Sequence, residues 1–256
     1  LYHKNNYPGV MIDGEMFDGD IYFSEYINNA WTESKRLEYG ISNNGNNALA
    51  SVSPDGNTIL LFGTYDKKKN TSDHMNGLAI SHRKATGWSY PENLIIKNFY
   101  TLPCHVNYFL ADNGRTLILC NKRNDSKGDG DLYVSFKQED NTWSEPKNMG
   151  AEINSYTLDF SPFISADNST LYFASWTLPN YGESDMYMSK RLDESWTKWS
   201  KPLNMGPAIN NEGFNAYYKI SADAKVVYFS STINSIGYAD IFMSDLPKEL
   251  SPDPVT

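Results

Sequence analysis

Apolar and polar residues alternate along this chain in short runs that break at Asp-Gly, Asp-Asn and Pro-containing stretches. That is the pattern of half-buried strands joined by tight turns, and it leaves little room for helices. Four pairs of apolar runs face each other across an Asp: 48–52 and 59–62 across Asp55, 106–110 and 117–119 across Asp112, 160–164 and 171–173 across Asp167, 216–220 and 226–229 across Asp223. Each pair predicts a hairpin, because Asp-Gly and Asp-Asn turns tolerate the positive φ of a close reversal. A third run closes on a serine, at Ser24, Ser81, Ser135, Ser189 and Ser244. A fourth opens on Trp31, Trp88, Trp143 or Trp199; in the last three of these a Pro follows, and two residues later Asn93, Asn148 or Asn204. Proline cannot donate to a ladder and is tolerated at an exposed edge, so this run is expected outermost in its sheet.

These landmarks are periodic. The serines recur at steps of 57, 54, 54 and 55, and the turn aspartates at steps of 57, 55 and 56. Two independent series sharing one period mark a repeat architecture. Four antiparallel strands per repeat predict an all-β fold, a β-propeller of four-stranded blades whose innermost strand precedes the turn Asp. The chain opens on a second strand and ends after the third strand of a fifth repeat, so about five blades are expected, or six if an upstream segment adds one. Residues 1–245 are expected to form a single propeller domain and 246–256 a Pro-rich tail or linker towards a following domain. The chain begins without an initiator Met or a signal peptide and is expected to start inside a longer polypeptide.

Composition narrows the partners. Net charge is −9, which repels phosphate backbones and anionic lipid, so nucleic acid is not an expected partner. No apolar run approaches the roughly 18 residues of a membrane-spanning helix, and no direct membrane insertion is expected. Cys104 and Cys120 are the only cysteines. Counting outward from the intervening turn sets Cys120 opposite position 106 or 107, with Cys104 a diagonal neighbour, so two buried free thiols are expected.

The candidate chemistry is sparse. The turn aspartates are expected to accept bonds from their own turns, and the strand aspartates Asp20, Asp131, Asp185 and Asp240 to cap loops or bond the neighbouring blade. Eight residues before each turn Asp stand Asn47, Cys104, Asp159 and Asn215. They enter the innermost strand near one mouth of the central channel, where Asn47, Asp159 and Asn215 are candidate binding residues; loop capping is the competing reading. Trp176 and Trp196 fall outside the repeat phase, and Trp176 is a candidate exposed anchor for a partner. Asp125, Asp129 and Asp131 lie close together but lack the EF-hand spacing, and the four histidines have no zinc-site spacing. No catalytic residue, metal or cofactor is expected.

The repeats resemble the WD-like propeller repeats of TolB-like proteins. The resemblance rests on Asp131-Leu132-Tyr133-Val134-Ser135, Trp143-Ser144-Glu145-Pro146-Lys147-Asn148-Met149-Gly150, Ile153-Asn154, Ser165-Ala166-Asp167 and Leu171-Tyr172-Phe173. The second repeat departs from it, with Gly77 in place of the strand Asp and Leu94-Ile95 where Met149-Gly150 would stand. The tail, Leu246-Pro247-Lys248-Glu249-Leu250-Ser251-Pro252-Asp253-Pro254-Val255, is similar to the junction after the propeller in OmpA-family envelope proteins of Bacteroidetes-type bacteria, some of them type IX secretion components. The resemblance implies a periplasmic location associated with the outer membrane. It also implies peptidoglycan contact only through other domains, and a non-catalytic scaffold role with a protein partner of the cell envelope. A glycan- or small-ligand-binding module is the alternative, as is a five-bladed glycoside-hydrolase-like enzyme, which would need converging carboxylates.

Overall fold

The computed structural model describes residues 2–4, 11–12, 15–16, 19–28, 30–53, 55–111, 114–177, 181–221 and 223–252. Asp112 of the third repeat's turn lies outside them. The fold is an all-β propeller of antiparallel blades; among the described residues the only helical element is a 3-10 turn, Lys248–Leu250. The chain divides into two compact units, Leu1–Ile95 and Ile96–Thr256.

In the second unit the third and fourth repeats are complete four-stranded blades. The third runs Asn107–Leu110, Thr116–Asn121, Asp131–Phe136 and Lys147–Asn148; the fourth runs Asp159–Ile164, Thr170–Ser175, Asp185–Lys190 and Leu203–Asn204. The fifth has three described strands, Asn215–Ile220, Val226–Ser231 and Asp240–Asp245. In the first unit Ala48–Val52, Thr58–Asp66, Thr71–Lys84, Gly87–Trp88 and Glu92–Asn93 form the second repeat's sheet, and Tyr2–Lys4, Asp20–Phe23 and Lys35–Arg36 form the first repeat's. Four repeats thus carry an innermost strand, each just before its turn Asp.

The periodic serines have a structural reason. In the first four repeats the third-strand hydroxyl donates to the carbonyl oxygen one residue beyond the Trp: Ser24 to Thr32 at 2.5 Å, Ser81 to Ser89, Ser135 to Ser144 and Ser189 to Ser200 at 2.6 Å. The Trp backbone first bridges the end of the third strand, as Lys137 pairs Trp143 and Arg191 pairs Trp199. Proline then interrupts the ladder, and the Asn two residues later resumes it, Asn148 opposite Tyr133 and Asn204 opposite Tyr187. Trp143 and Trp199 are buried and Trp31 is exposed. Trp196, out of phase in sequence, is a core residue at φ 59, with Trp199 edge-on at 6.0 Å and the Arg191 guanidinium 4.8 Å above it.

Polar side chains stitch successive blades together in places where apolar packing cannot satisfy backbone groups. Asn154 accepts from Leu132 N–H at 2.7 Å and donates to Leu132 O at 3.0 Å; Asn210 does the same to Met186 at 2.8 and 2.9 Å. Each amide thus stands in for one residue of a paired strand. Asn148 and Asn204 bridge these amides to the strand aspartates, donating to Asp131 at 2.8 Å and Asp185 at 2.7 Å. In the second repeat Gly77 leaves no such acceptor, and Asn93 turns to the backbone of Tyr65 instead, accepting at 2.7 Å and donating at 3.0 Å.

The turn aspartates accept from their own turns, Asp55 from Ser53 and Asn57, Asp223 from Ser221 and Lys225. Asp167 takes Ser165, Ser169 and Thr170, and these bonds hold its carboxyl at about 2 against the opposing effect of burial. Cys120 lies opposite Asn107, and both thiols are free; Cys120 is buried while Cys104, expected buried, is half-exposed.

Candidate functional site

The residues that enter the innermost strands do not point their polar atoms into open space. Asn47, Asp159 and Asn215 are all buried. Each uses its backbone N–H to bond the neighbouring blade just before its third strand: Asn47 to Gly19 O at 2.7 Å, Asp159 to Gly130 O and Asn215 to Ser184 O at 2.9 Å. Each side chain accepts the N–H four residues earlier, from Asn43 at 2.8 Å, Ser155 at 2.5 Å and Asn211 at 2.7 Å. The strand aspartates cap their loops the same way, Asp131 from Lys127, Asp185 from Tyr181 and Asp240 from Ile236. One device therefore recurs at three entrances to inner strands and three entrances to third strands, while Asp20 pairs with Arg36 instead. Asp159 differs from its neighbours in charge. Burial raises its pKa to about 6, and its Oδ1 has no hydrogen bond, although the Ser175 hydroxyl lies near. Asn215, at the equivalent place, donates to Ser231 at 3.0 Å.

Further along the same strands, the innermost strands of the second unit's three blades converge on a polar cluster. Tyr217 and Ser161 hold left-handed backbone, φ 59 and 54, at register breaks in their strands. Such conformations cost of order 1–3 kcal/mol for residues other than Gly and persist only where neighbours enforce them. The enforcing bonds are visible: Asn107 Oδ1 accepts Ser161 N–H at 3.2 Å, and Ser161 Oγ accepts Tyr217 N–H at 2.7 Å. The Tyr217 hydroxyl meets His105 Nε2 at 3.1 Å across two blades. Burial lowers the pKa of His105, which favours the neutral ring. Two residues on, Lys219 Nζ lies 4.6 Å from the centre of the Phe109 ring and 4.9 Å from that of Phe163. The periodic landmarks do not single out His105, Tyr217 or Lys219; the signal was the departure of Lys219 from the aromatic at the matching place, Phe109 and Phe163.

A second feature lies at one end of the blades. In an antiparallel blade the connections from second to third strand and from fourth strand to the next blade emerge at the same end. The chain confirms this pairing: Asp129 N–H bonds Thr157 O at 2.9 Å, and Gly128 approaches Thr157 O so closely that a Cβ would sit 1.8 Å from it. The loops of this end carry exposed Leu102, Tyr156, Trp176, Tyr181, Ile236 and Tyr238. The opposite end of the same unit, with the hairpin turns, exposes Leu192. Trp176 is 47% exposed and follows the strand Thr170–Ser175; its N–H bonds Leu158 O at 3.3 Å, beside Asp159. Trp176 and Asp159 are thus brought close, whereas Asn215 is bound into the next seam and Asn47 belongs to the first unit.

Among the described residues no three His, Cys, Asp or Glu side chains gather as a metal site. Asp125 accepts from Tyr133 at 3.0 Å and Asp129 pairs with Lys122 at 2.9 Å, while Asp131 is capped by its loop.

No family model matches the chain, and no curated protein matches it. Among solved structures it is similar to an α-L-arabinofuranosidase from Lactobacillus brevis, at 14% identity and TM-score 0.46, over 82% of this chain and 76% of that one. It is also similar to a Penicillium chrysogenum α-L-arabinanase complexed with arabinobiose, at 14% identity and TM-score 0.43, over 77% of this chain and 62% of that one. A third likeness is to the tricorn protease, at 15% identity and TM-score 0.45, over 93% of this chain but 20% of the protease.

Proposed function

We propose that this chain is a non-catalytic binding propeller that docks a protein partner on the loop end of residues 96–256. The reading places it in the periplasm, within an outer-membrane-associated OmpA-like envelope protein, on the strength of the repeat and tail motifs. The observation that carries the docking role is the placement of exposed aromatic and aliphatic side chains. Six of the second unit's large exposed apolar residues, Trp176 among them, sit on loops of one blade end. Rigid aromatic anchors on loops held by a stiff scaffold are what protein recognition uses. Fold by itself assigns no activity.

The glycosidase alternative needs two carboxylates several ångströms apart on either side of a sugar. Of the described residues that open the innermost strands of the fourth and fifth repeats and of the second, only Asp159 is an acid, and its loop N–H bond holds it as a cap. The experiment is chemical cross-linking and pull-down of the full-length protein from envelope extract, with Trp176→Ala and Leu192→Ala variants alongside. Capture of one defined protein should fall at least fivefold in Trp176→Ala and persist in Leu192→Ala. Equal capture by both variants would overturn the assignment of the face. Hydrolysis of arabinan by the intact protein would favour the enzyme reading.

A further inference from the structure

Lys219 occupies the position on its innermost strand that Phe109 and Phe163 occupy on the two preceding ones, opposite Tyr228, Ile118 and Tyr172 respectively. Its ammonium is laid over both rings and donates to Pro162 O at 3.3 Å. An ammonium has three donors, and aromatic faces supply attraction without satisfying them. Burial alone pulls its pKa down to about 7, with no acid contributing. That is unusual here, because acids outnumber bases 31 to 22. The sheltered arginines of this unit do pair, Arg123 with Glu145 at 3.1 Å and Arg191 with Glu194 at 2.9 Å. Among ionisable groups around Lys219 and on the strands packed against its own, Asp159 and Asp185 are turned into their own loops, His105 bonds Tyr217, and Tyr108, Tyr172, Tyr187 and Tyr218 are core phenols. A cation with no counter-ion among the described residues, held beside strained, hydrogen-bonding neighbours, is an arrangement completed by an anion.

We infer that the innermost face of these three blades receives a small carboxylate, which pairs with the Lys219 ammonium while Tyr217, His105 and Asn107 hydrogen-bond the rest of the ligand. The proposal is independent of partner docking on the loop end. A peptide C-terminus and a uronic acid present the same group, and Lys219 reads the charge in either.

The test is an NMR titration of the full chain, labelled with 13C at lysine Cε, at pH 7.5. The probes are glucuronate and N-acetyl-dialanine, with glucose and N-acetyl-dialanine amide as neutral controls. The Lys219 signal is identified by its absence from Lys219→Met. It should shift saturably with one acid and not with that acid's neutral control, and its titration midpoint should rise when the acid is bound. Lys219→Met should bind that acid at least tenfold more weakly, and Tyr217→Phe about threefold more weakly. If Lys219→Met fails to fold, Lys219→Arg and the wild-type titration still decide. A Lys219 signal that ignores both acids, or follows acid and control alike, overturns the proposal.

Discussion

Asp159 is a buried acid at the entrance to an innermost strand. Its pKa near 6 lies above the usual carboxylate value, so the folded protein holds this proton more tightly than the unfolded chain does. The stabilising effect of the proton is complete below the unfolded value, near 4, and is lost as the pH rises through about 6. At neutral pH the buried charge therefore destabilises the fold. Asparagine is what the next repeat uses there, and Asn215 supplies the donor that Asp159 lacks. Asp159→Asn should stabilise the chain by about 1–3 kcal/mol at pH 7.5, and the gain should vanish near pH 4. Urea denaturation of both proteins at the two pH values checks this, and a pH-independent difference would reject it. The spacing in the sequence located Asn47, Asp159 and Asn215 at the strand entrances correctly. It did not show which way their side chains turn, because the accepting geometry exists only once the loop four residues upstream has folded. The pairing of His105 with Tyr217 spans 112 residues and leaves no local pattern at all.

At the scale of elements the repeat was almost fully legible, because each landmark has a bond behind it. Serine closes the third strand onto the fourth, Asp and Asn cap the loops, and a Pro sets off the residue pair that forms the outermost strand of the third and fourth blades. What periodicity did not show is that Asn154 and Asn210 act as strand surrogates. Asn154→Ala would leave Leu132 N–H unpaired in a buried seam between two blades, while Leu132 O keeps the Met149 N–H at 3.0 Å. An orphaned buried group costs about 1–3 kcal/mol, so a loss of roughly 1–3 kcal/mol is expected. Ser24→Ala, in the more exposed first sheet, should cost under about 1 kcal/mol because water replaces the lost bond. Thermal and urea unfolding of the two variants should rank them in that order; the reverse order would mean that the polar seam is not a principal tie between blades.

For the molecule as a whole, the sequence identified the propeller from its period, and the two compact units lay beyond it, since a break in contact density leaves no mark on a regular repeat. The tail illustrates the same gap. Its prolines read as a linker, yet Leu250 is buried in the core of the second unit, and its carbonyl accepts the Tyr172 hydroxyl at 2.7 Å. Tyr172 stacks on Tyr218 at 5.0 Å, so this bond ties the tail to an aromatic pair spanning the fourth and fifth blades. Two substitutions separate the contributions. Leu250→Ala removes apolar packing and should cost about 2–4 kcal/mol. Tyr172→Phe keeps the ring and removes only the hydrogen bond, and should cost about 1–2 kcal/mol. Because the two groups meet at one place, the losses should be less than additive in the double variant. Urea unfolding of the four proteins completes the cycle. Fully additive losses would show that the tail and the aromatic pair are energetically independent, and that residues 246–252 rest on the blades without helping to hold them together.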